Sequence, residues 1–344
     1  KSYKSDMACR RFLEDIHYVL RQKRIDELNE SNFVSIQTDS STDTGECDNE
    51  GIYIQFLKDG APETVFLTIR ELDNATAVGH VQTTDSAITA AGFPNWKEKT
   101  IGLGTDGANV MLGNNHGVAG ILRQDIPWLI SIHCLNHVLQ LIAKDSADRN
   151  AKMADTYTLL KYIYKLYKNS PKAWRELKDL ALILEVKIWK FKRVGGTRWI
   201  THILDAILAV NKGYSPLMFH LEKIALHENK SSANMAGSSK WIIKFLKDYS
   251  SLLFFTLMQD ILTLLSKLDL VLQKDTLTLP KAIQSIKATL LEIKRMSSSP
   301  GIHLQEFLAT SSNGMYQDVE LTHFSEDTKE HFERTKQGLL NTVE

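Results

Sequence analysis

Two patterns of apolar and polar residues follow one another along the chain. Residues 1–30 carry apolar side chains at helical spacing, which predicts one helix. The stretches that follow are short, β-branched and aromatic, and Gly, Asp or Asn bounds them, as is typical of strands. They predict five strands, at 33–39, 51–57, 64–72, 99–106 and the start of 128–145. The segment 128–145 begins as a strand and becomes helical near His137. Between the later strands, helices are predicted at 74–93 and 116–126.

The rest of the chain has helical spacing almost throughout. The predicted helices are 152–169, 172–191, 200–225, 241–273, 281–296 and 328–340. Three antiparallel strands that run into alternating βα units make a mixed sheet with helices on its faces. This is the strand order of a ribonuclease-H-like fold, so we expect a mixed α/β protein of that class with an all-helical second half.

The composition is that of a folded protein, with 43% hydrophobic and 24% charged residues in a chain of 344. This length is typical of about two domains. No apolar run approaches the ~20 residues of a membrane span, so no membrane partner is expected. Three widely spaced cysteines, Cys9, Cys47 and Cys134, favour a reducing compartment over a disulfide framework. Because the first residue is Lys1 rather than Met, we expect a piece of a longer protein.

The formal net charge of zero hides two oppositely charged regions. Residues 30–130 contain fourteen acidic and five basic residues, which is a net charge of −9. Residues 144–198 contain fourteen basic and six acidic residues, which is a net charge of +8. An acidic region can hold metal ions and a basic one can hold a polyanion, although single charges mostly solvate a helix face.

Two aspartates stand at the ends of predicted strands. Asp39 ends the first strand in "IQTDSSTD", and Asp106 ends the fourth in "GLGTDGAN". In the expected topology these strands are neighbours, so the two carboxylates meet at one edge of the sheet and need a cation between them. Mg²⁺ prefers such oxygen ligands, and paired metal ions promote phosphodiester cleavage. Asp43 is a competing acid, and residues 39–43 are also typical of an ordinary polar turn.

Four motifs follow one another as they do in hAT-type DNA transposases: "IQTDSSTD", "IGLGTDGANVMLGNNHGVAGIL", "IHCLNHVLQL" and "GGTRWITH". From about Asn32 to Met296 the chain resembles this family, and most of all its host-adopted, zinc-finger-containing relatives in animal genomes. The resemblance implies a ribonuclease-H-like core with a large helical insertion. The expected domains are a helical lead-in at 1–30, the first part of the core at 31–150, and the insertion at 151–344, with the chain ending before the core is complete.

The resemblance also implies metal-dependent DNA strand cleavage and transfer by an Asp-Asp-Glu triad, with Mg²⁺ or Mn²⁺ as cofactor. Asp39 and Asp106 match the first two acids, as catalytic residues and metal ligands, and Cys134 and His137 match a Cys-x-x-His motif. No glutamate matches the third acid, so whether this chain is an enzyme stays open. The late glutamates are Glu306, Glu320, Glu326, Glu330 and Glu333.

The expected nucleic-acid-binding residues lie mainly in "KIWKFKRVGGTR", residues 187–198, which mixes bases with aromatics. Such a run suits single-stranded or distorted DNA, although basic side chains along a helix face look the same. Lys192 and Arg193 belong to this run, and Arg198 can hold a phosphate. By resemblance, Trp199 stacks on a base extruded beside the cleaved end. The alternative for Trp199 is a core tryptophan.

The stretch "SIHCLNH" also allows a zinc interpretation through His133, Cys134 and His137. A structural zinc site wants four ligands, usually as two spaced pairs, and the other cysteines are distant, so we expect no zinc. His137 is either close to the DNA end or a satisfied core histidine. Cys134 is alternatively a small buried residue of the strand.

These features predict a nuclear, transposase-derived protein that binds DNA and forms a homo-oligomer through a segment beyond Glu344. The alternative is a non-catalytic nucleic-acid-binding or dimerisation platform that regulates transcription. A host nuclease on the same fold is a third, weaker possibility.

Overall fold

A computed structural model describes residues 5–43, 45–113, 116–196, 198–226 and 233–343. The chain divides into two compact units, Lys1–Val138 with Lys274–Thr276 and Leu139–Gln273 with Leu277–Glu344. The first unit holds the main sheet, and the second consists of helices and one small hairpin. The protein is therefore a mixed α/β protein, as predicted.

The first unit is built on one mixed sheet. Its strands are β1 (Val34–Thr42), β2 (Asp48–Lys58), β3 (Ala61–Glu71), β4 (Thr100–Thr105) and β5 (Ile130–His133). They lie in the order β3-β2-β1-β4-β5. The pairs β1–β2 and β2–β3 are antiparallel, whereas β4 is parallel to both β1 and β5. The prediction that the first and fourth strands are neighbours is confirmed.

Helices bury one face of this sheet. They are α1 (Asp6–Glu30), α2 (Ala77–Ala91), α3 (Trp96–Lys99), α4 (Asn109–Leu112) and α5 (Val118–Asp125), while α6 (Leu135–Asp148) follows β5 and continues into the second unit. Along β1 the side chains alternate, so Ile36 and Thr38 are buried and Gln37 and Asp39 are exposed. Ile36 belongs to one hydrophobic core with residues of α2 and α5.

β1 extends further than its sequence suggests. It pairs with β2 as far as Thr42, whereas its ladder with β4 ends at Gln37, opposite Gly104. The antiparallel partner supplies hydrogen bonds to the second half of β1, so this strand continues past the end of β4. The prediction that Asp39 ends the strand is therefore wrong. Asp106, by contrast, directly follows β4, as predicted.

The second unit is helical. Its elements are α7 (Ala151–Asn169), α8 (Pro171–Ile183), α9 (Trp199–Lys212), α10 (Tyr214–Leu226), α11 (Ala233–Lys247), α12 (Tyr249–Leu272), α13 (Leu279–Arg295), α14 (Ile302–Thr310), β6 (Met315–Tyr316), β7 (Val319–Glu320) and α15 (Glu326–Val343). The sequence did not predict α14 or the β6–β7 hairpin, nor α3 and α4 in the first unit. All of these elements are short, so they give little periodic signal.

The predicted helix 172–191 ends early. After α8, Glu185 adopts a left-handed conformation with φ of 54°, and the amide of Val186 donates to the carbonyl of Ala181 at 2.8 Å. This is the hydrogen bond that closes a helix through a left-handed residue. Glycine usually occupies that position, and its absence hid the end of the helix. Residues 186–196 consequently form an irregular segment rather than two further helical turns.

Two other predicted helices are each divided in two. Helix 200–225 breaks at Gly213, between α9 and α10. Helix 241–273 breaks at Asp248, whose carboxylate accepts a hydrogen bond from the amide of Ser251 at 2.8 Å and so starts α12. An aspartate at this position satisfies a free amide of the first helical turn, which makes a new helix start favourable.

Helix α12 lies in the core of the second unit, where Leu253, Phe255 and Leu257 are fully buried. By length and composition this helix of 24 residues could cross a membrane, so the sequence-based statement that no run approaches a membrane span is wrong. However, 78% of its most apolar window is buried inside the protein, which is the environment of a core helix.

A buried histidine makes the second unit sensitive to acid. His220 accepts a hydrogen bond from the hydroxyl of Tyr167 at 2.8 Å and lies 3.2 Å from the carboxylate of Glu176. Burial lowers the pKa of His220 below 6.5, against the opposing effect of Glu176. The unfolded chain thus binds a proton here at a higher pH than the folded chain, and the free energy of unfolding falls as the pH falls below about 6.5.

We expect His220→Leu to weaken this pH dependence between pH 7.5 and 5.5, although the variant is less stable at pH 7.5 because it leaves Tyr167 unpaired. Urea unfolding at several pH values measures both effects. His17→Gln, which alters an exposed histidine of α1, is the matched control and should leave the profile unchanged. An unchanged slope in His220→Leu would contradict the assignment.

Candidate functional site

The first candidate site lies where β1 and β4 run side by side. Gln37 and Gly104 are the last residues that these parallel strands pair, and Asp39 and Asp106 each come two residues later. Because side chains alternate along a strand, Asp39 extends from the same sheet face as Gln37. Asp39 is exposed and Asp106 is partly exposed. Asp39, inside β1, and Asp106, directly after β4, thus both lie beyond the last paired residues of two parallel strands and within reach of solvent.

The turn after β4 holds Asp106 in place. Its Oδ1 atom accepts a hydrogen bond from the amide of Ala108 at 3.1 Å. Gly107 has φ of 84°, a left-handed conformation that favours glycine. A Cβ atom at Gly107 would lie only 2.1 Å from Nε2 of His133. Two constraints therefore favour glycine at position 107: the left-handed backbone conformation, and the imidazole of His133 that packs against it.

The segment after β5 reaches the same edge of the sheet. His133 pairs with Thr105, and the amide of Cys134 donates to the carbonyl of Thr105 at 2.8 Å. The rings of His133 and His137 have their centroids 5.7 Å apart. Cys134 is exposed, which contradicts its interpretation as a buried strand residue. His137 belongs to α6 and is partly buried, with its ring beside that of His133.

Two polar atoms at this edge lack a protein partner. Nε2 of His133 and Oδ1 of Asn136 are both buried, and neither has a hydrogen bond within the described part of the chain. Buried polar atoms are almost always paired, so each is a point at which a water molecule or a polar ligand would be favourable. The sequence did not single out Asn136 at all, because its role depends on what surrounds it.

The competing acid, Asp43, has a structural role. Its Oδ1 atom accepts hydrogen bonds from the amides of Cys47 and Gly45 at 3.1 and 2.7 Å. These two hydrogen bonds lower the pKa of Asp43, and the one from Cys47 has the larger effect. Asp43 thereby closes the connection between β1 and β2.

The donor set at the edge of β1 and β4 fits a hard divalent cation. Mg²⁺ is usually held by one or two carboxylates and completes its shell with water and phosphate oxygens. Asp39 and Asp106 supply two carboxylates. No cluster of three or more His, Cys, Asp or Glu side chains suited to a metal occurs among the described residues.

The opposite face of the sheet carries a buried acid that the sequence patterns did not reveal. Glu50 of β2 is 1% exposed, and its carboxylate lies 3.2 Å from Nδ1 of His80 on α2. The second carboxylate oxygen of Glu50 and the hydroxyl of Thr38 are buried without a partner among the described residues. Both belong to the face that α2 covers, whereas Asp39 belongs to the other. This pair is therefore separate from the two-aspartate edge.

The second candidate site is the irregular segment after α8, in the helical unit. We call residues 187–198 the basic segment. Lys187, Lys190, Lys192 and Arg193 are all exposed, and Lys192 pairs with Asp205 at 2.6 Å. The backbone is not helical here, so the explanation that these bases merely solvate a helix face is wrong. Thr197 lies outside the described residues.

Trp199 lies in the core of the helical unit. It is the first residue of α9 and is only 5% exposed, among the buried side chains of that unit. Stacking on an extruded base needs an open face of the ring, so the expected surface role of Trp199 is contradicted and its interpretation as a core tryptophan is correct. The helix begins here with its apolar face toward the core, as Ile200 and Ile203 also show.

Arg198 remains exposed beside a buried polar network. Gln140 accepts a hydrogen bond from the amide of Ile200 at 2.8 Å and donates one to Asp269 at 2.6 Å. Burial raises the pKa of Asp269, while the hydrogen bond from Gln140 and the charge of Arg198 oppose that shift. Arg198, the residue before α9, is therefore close enough to Asp269 for its charge to act on that carboxylate.

No protein-family model matches this chain.

Proposed function

We propose that the chain is the ribonuclease-H-like part of a transposase-derived, nuclear DNA-binding protein, related to the hAT type. In this proposal Asp39 and Asp106 hold a divalent cation, Mg²⁺ or Mn²⁺, against a phosphodiester of DNA. The observation that carries it is the placement of Asp39, within β1, and Asp106, directly after β4, two residues beyond the last pair of these neighbouring parallel strands. The strand order β3-β2-β1-β4-β5 supports it too, since it is the order of that fold class.

The chemistry of such a site follows from its residues. Two carboxylates of like charge become favourable neighbours when a cation neutralises them. A divalent ion bound there polarises the phosphodiester oxygens and lowers the pKa of a coordinated water. Gly104 has no side chain, so a phosphate backbone can approach the edge beside Asp106 closely.

Cleavage by this family needs a third acid, and we assign none in this chain. The proposal for the chain itself is therefore cation-dependent DNA binding, with strand cleavage confined to a protein that supplies the missing carboxylate. The basic segment supports the DNA-binding part, since residues 187–198 carry five bases and no acid. Non-specific affinity for DNA comes mostly from such contacts with phosphates.

A second candidate function is a non-catalytic platform for dimerisation or protein interaction. It is favoured by the exposed apolar stripe on α1, where Phe12, Ile16, Val19 and Leu20 lie at helical spacing and face solvent. The same helix contacts its own core through Ile25 and Leu28, near its C-terminal end. Exposed apolar patches of this kind often mark interaction sites.

We expect Asp106→Asn and Asp39→Asn each to weaken Mn²⁺ binding by at least about tenfold, because each removes one of only two charged ligands. Electron paramagnetic resonance of free Mn²⁺, titrated with the whole chain, measures this binding. Asp59→Asn is the matched control, since Asp59 is an exposed acid at the other end of β2. Equal Mn²⁺ affinity in Asp59→Asn, Asp106→Asn and the parent would contradict the metal site.

The same variants separate the two functions. If the chain acts on DNA through this site, Mg²⁺ should raise its affinity for DNA in the parent but not in Asp106→Asn. A platform should bind DNA or protein partners equally well in both proteins, with or without Mg²⁺. Fluorescence anisotropy with a labelled duplex decides between these outcomes.

A further inference from the structure

The basic segment has an inward side chain at every third position. Ile188 is half-buried, and Phe191 and Val194 are buried. Phe191 packs its ring against Tyr167 and Trp174, at centroid distances of 5.1 and 6.0 Å. These anchors hold the segment on the helical unit without regular secondary structure. The two residues between successive anchors consequently face solvent.

The outward positions carry one aromatic residue and several bases. Trp189 and Lys190 lie between the first two anchors, and Lys192 and Arg193 lie between the next two. Trp189 is 42% exposed, unlike Trp199. Trp189 therefore presents an open aromatic surface among basic side chains.

The ring of Trp189 is held from one side. The ammonium group of Lys212, at the end of α9, lies 4.5 Å from the ring centroid, which is a cation–π contact. This contact orders the indole and places a positive charge beside it. A planar ring fixed in this way can accept a second flat group by stacking.

The charges around Trp189 are largely unbalanced. Lys192 is paired with Asp205, but no ion pair of Lys187, Lys190 or Arg193 is found among the described residues. A further lysine, Lys161, lies 4.9 Å from the ring of Tyr157, and the hydroxyl of Tyr157 would be 3.1 Å from a Cβ atom at Gly195. Basic side chains therefore follow the segment from Trp189 to its glycines.

We propose that the basic segment binds single-stranded nucleic acid, with one unpaired base stacked on Trp189 and the adjoining phosphates on Lys190 and Arg193. A nucleobase can stack on Trp189 only if its own π face is exposed. The bases of an unpaired strand expose this face, whereas those inside a duplex do not. The basic side chains on both sides of Trp189 suit a phosphate backbone that passes along the segment. This inference rests on the proposed nucleic-acid-binding function, but not on the metal site at Asp39 and Asp106.

The test is the affinity of the whole chain for a labelled 15-nucleotide oligo(dT), measured by fluorescence anisotropy in EDTA. We expect Trp189→Ala to weaken binding by about 5- to 150-fold, the usual effect of losing one stacked base. Trp189→Phe should recover much of this loss, because a phenyl ring still stacks. Trp128→Ala is the matched control, since Trp128 is an exposed tryptophan of the first unit with 54% exposure.

The salt dependence separates stacking from charge. Trp189→Ala should shift the plot of log affinity against log salt concentration downward without changing its slope. Lys190→Ala should make the slope less steep by about 0.7, the contribution of one phosphate contact on a single strand. If Trp189→Ala changes the slope and Trp189→Phe recovers nothing, the stacking proposal is overturned. Thermal unfolding confirms that each variant is folded.

Three further ligands complete the test. Oligo(U) that binds as tightly as oligo(dT) supports the proposal and assigns no preference between RNA and DNA, whereas a large difference identifies the natural strand. A duplex that binds equally well and is insensitive to Trp189→Ala overturns the proposal while leaving DNA binding intact. Poly-glutamate that competes as well as oligo(dT) also overturns it, since the segment then binds any polyanion. Loss of Mn²⁺ binding in Asp106→Asn is independent of all these outcomes.

Discussion

Replacing Gly107 with alanine is expected to lower the free energy of unfolding of the first unit by about 2–4 kcal/mol. A left-handed conformation costs a non-glycine residue about 1–2 kcal/mol. The remainder comes from the new Cβ atom, which would lie 2.1 Å from Nε2 of His133 and must displace the imidazole or the backbone. Urea unfolding followed by hydrogen exchange at β4 and β5 measures the loss.

Two companion variants divide this effect into its parts. Gly60 has φ of 79° and nothing within 4 Å of its Cβ position, so Gly60→Ala tests the backbone conformation alone, at about 1 kcal/mol. Gly107→Ala combined with His133→Ala removes the overlap and should be less destabilised than the sum of the two single changes. If Gly107→Ala costs no more than Gly60→Ala, the imidazole does not constrain this turn. Mn²⁺ binding by Gly107→Ala should also weaken, because Asp106 is the adjacent residue.

Replacing Asp260 with alanine is expected to lower the free energy of unfolding of the helical unit by about 3 kcal/mol. Asp260 is 4% exposed in α12, and its two oxygens accept hydrogen bonds from the amides of His303 and Leu304, both at 3.0 Å. Loss of the carboxylate removes this cap and leaves two amides, that of Leu304 buried, without a partner at the start of α14, which costs about 1–3 kcal/mol. Chemical denaturation and hydrogen exchange at α14 measure the effect.

The control is a cap of the ordinary kind. Ser170 accepts a hydrogen bond from the amide of Ala173 at 3.2 Å at the start of α8, and Ser170→Ala should cost about 1 kcal/mol. Asp260→Asn retains one acceptor oxygen, so its loss of free energy of unfolding should lie between those of Ser170→Ala and Asp260→Ala. Equal losses in Asp260→Ala and Ser170→Ala would show that the amides of α14 find other partners.

Local sequence signals were sufficient for much of the sheet. The predicted strands correspond to β1–β5, and the adjacency of β1 and β4 was expected only from the topology assumed for that strand order. Asp106 was found because a short apolar run ended on an acid among small residues. The position of Asp39 within its strand was not found, since the length of β1 depends on pairing with β2 beyond Cys47, and pairing is not a property of one segment.

The basic segment shows the opposite case. Its residues were identified from composition, but which tryptophan faces solvent was predicted wrongly. The resemblance favoured Trp199, which is buried in the core, whereas Trp189 is exposed. An irregular backbone has no fixed period, so spacing does not reveal which side chains point inward.

Local patterns alone predicted the mixed α/β class, the succession of the strands along the chain, Asp106 as the residue after β4 and the separation of acidic from basic residues. These follow from hydrophobic periodicity and charge, which are local. Four features emerge only in the folded chain: Glu50 pairs with His80, His133 packs on Gly107, Asp260 caps a helix 43 residues away, and Trp189 is open to solvent. Each of these depends on burial and on partners distant in the chain, which no local pattern encodes.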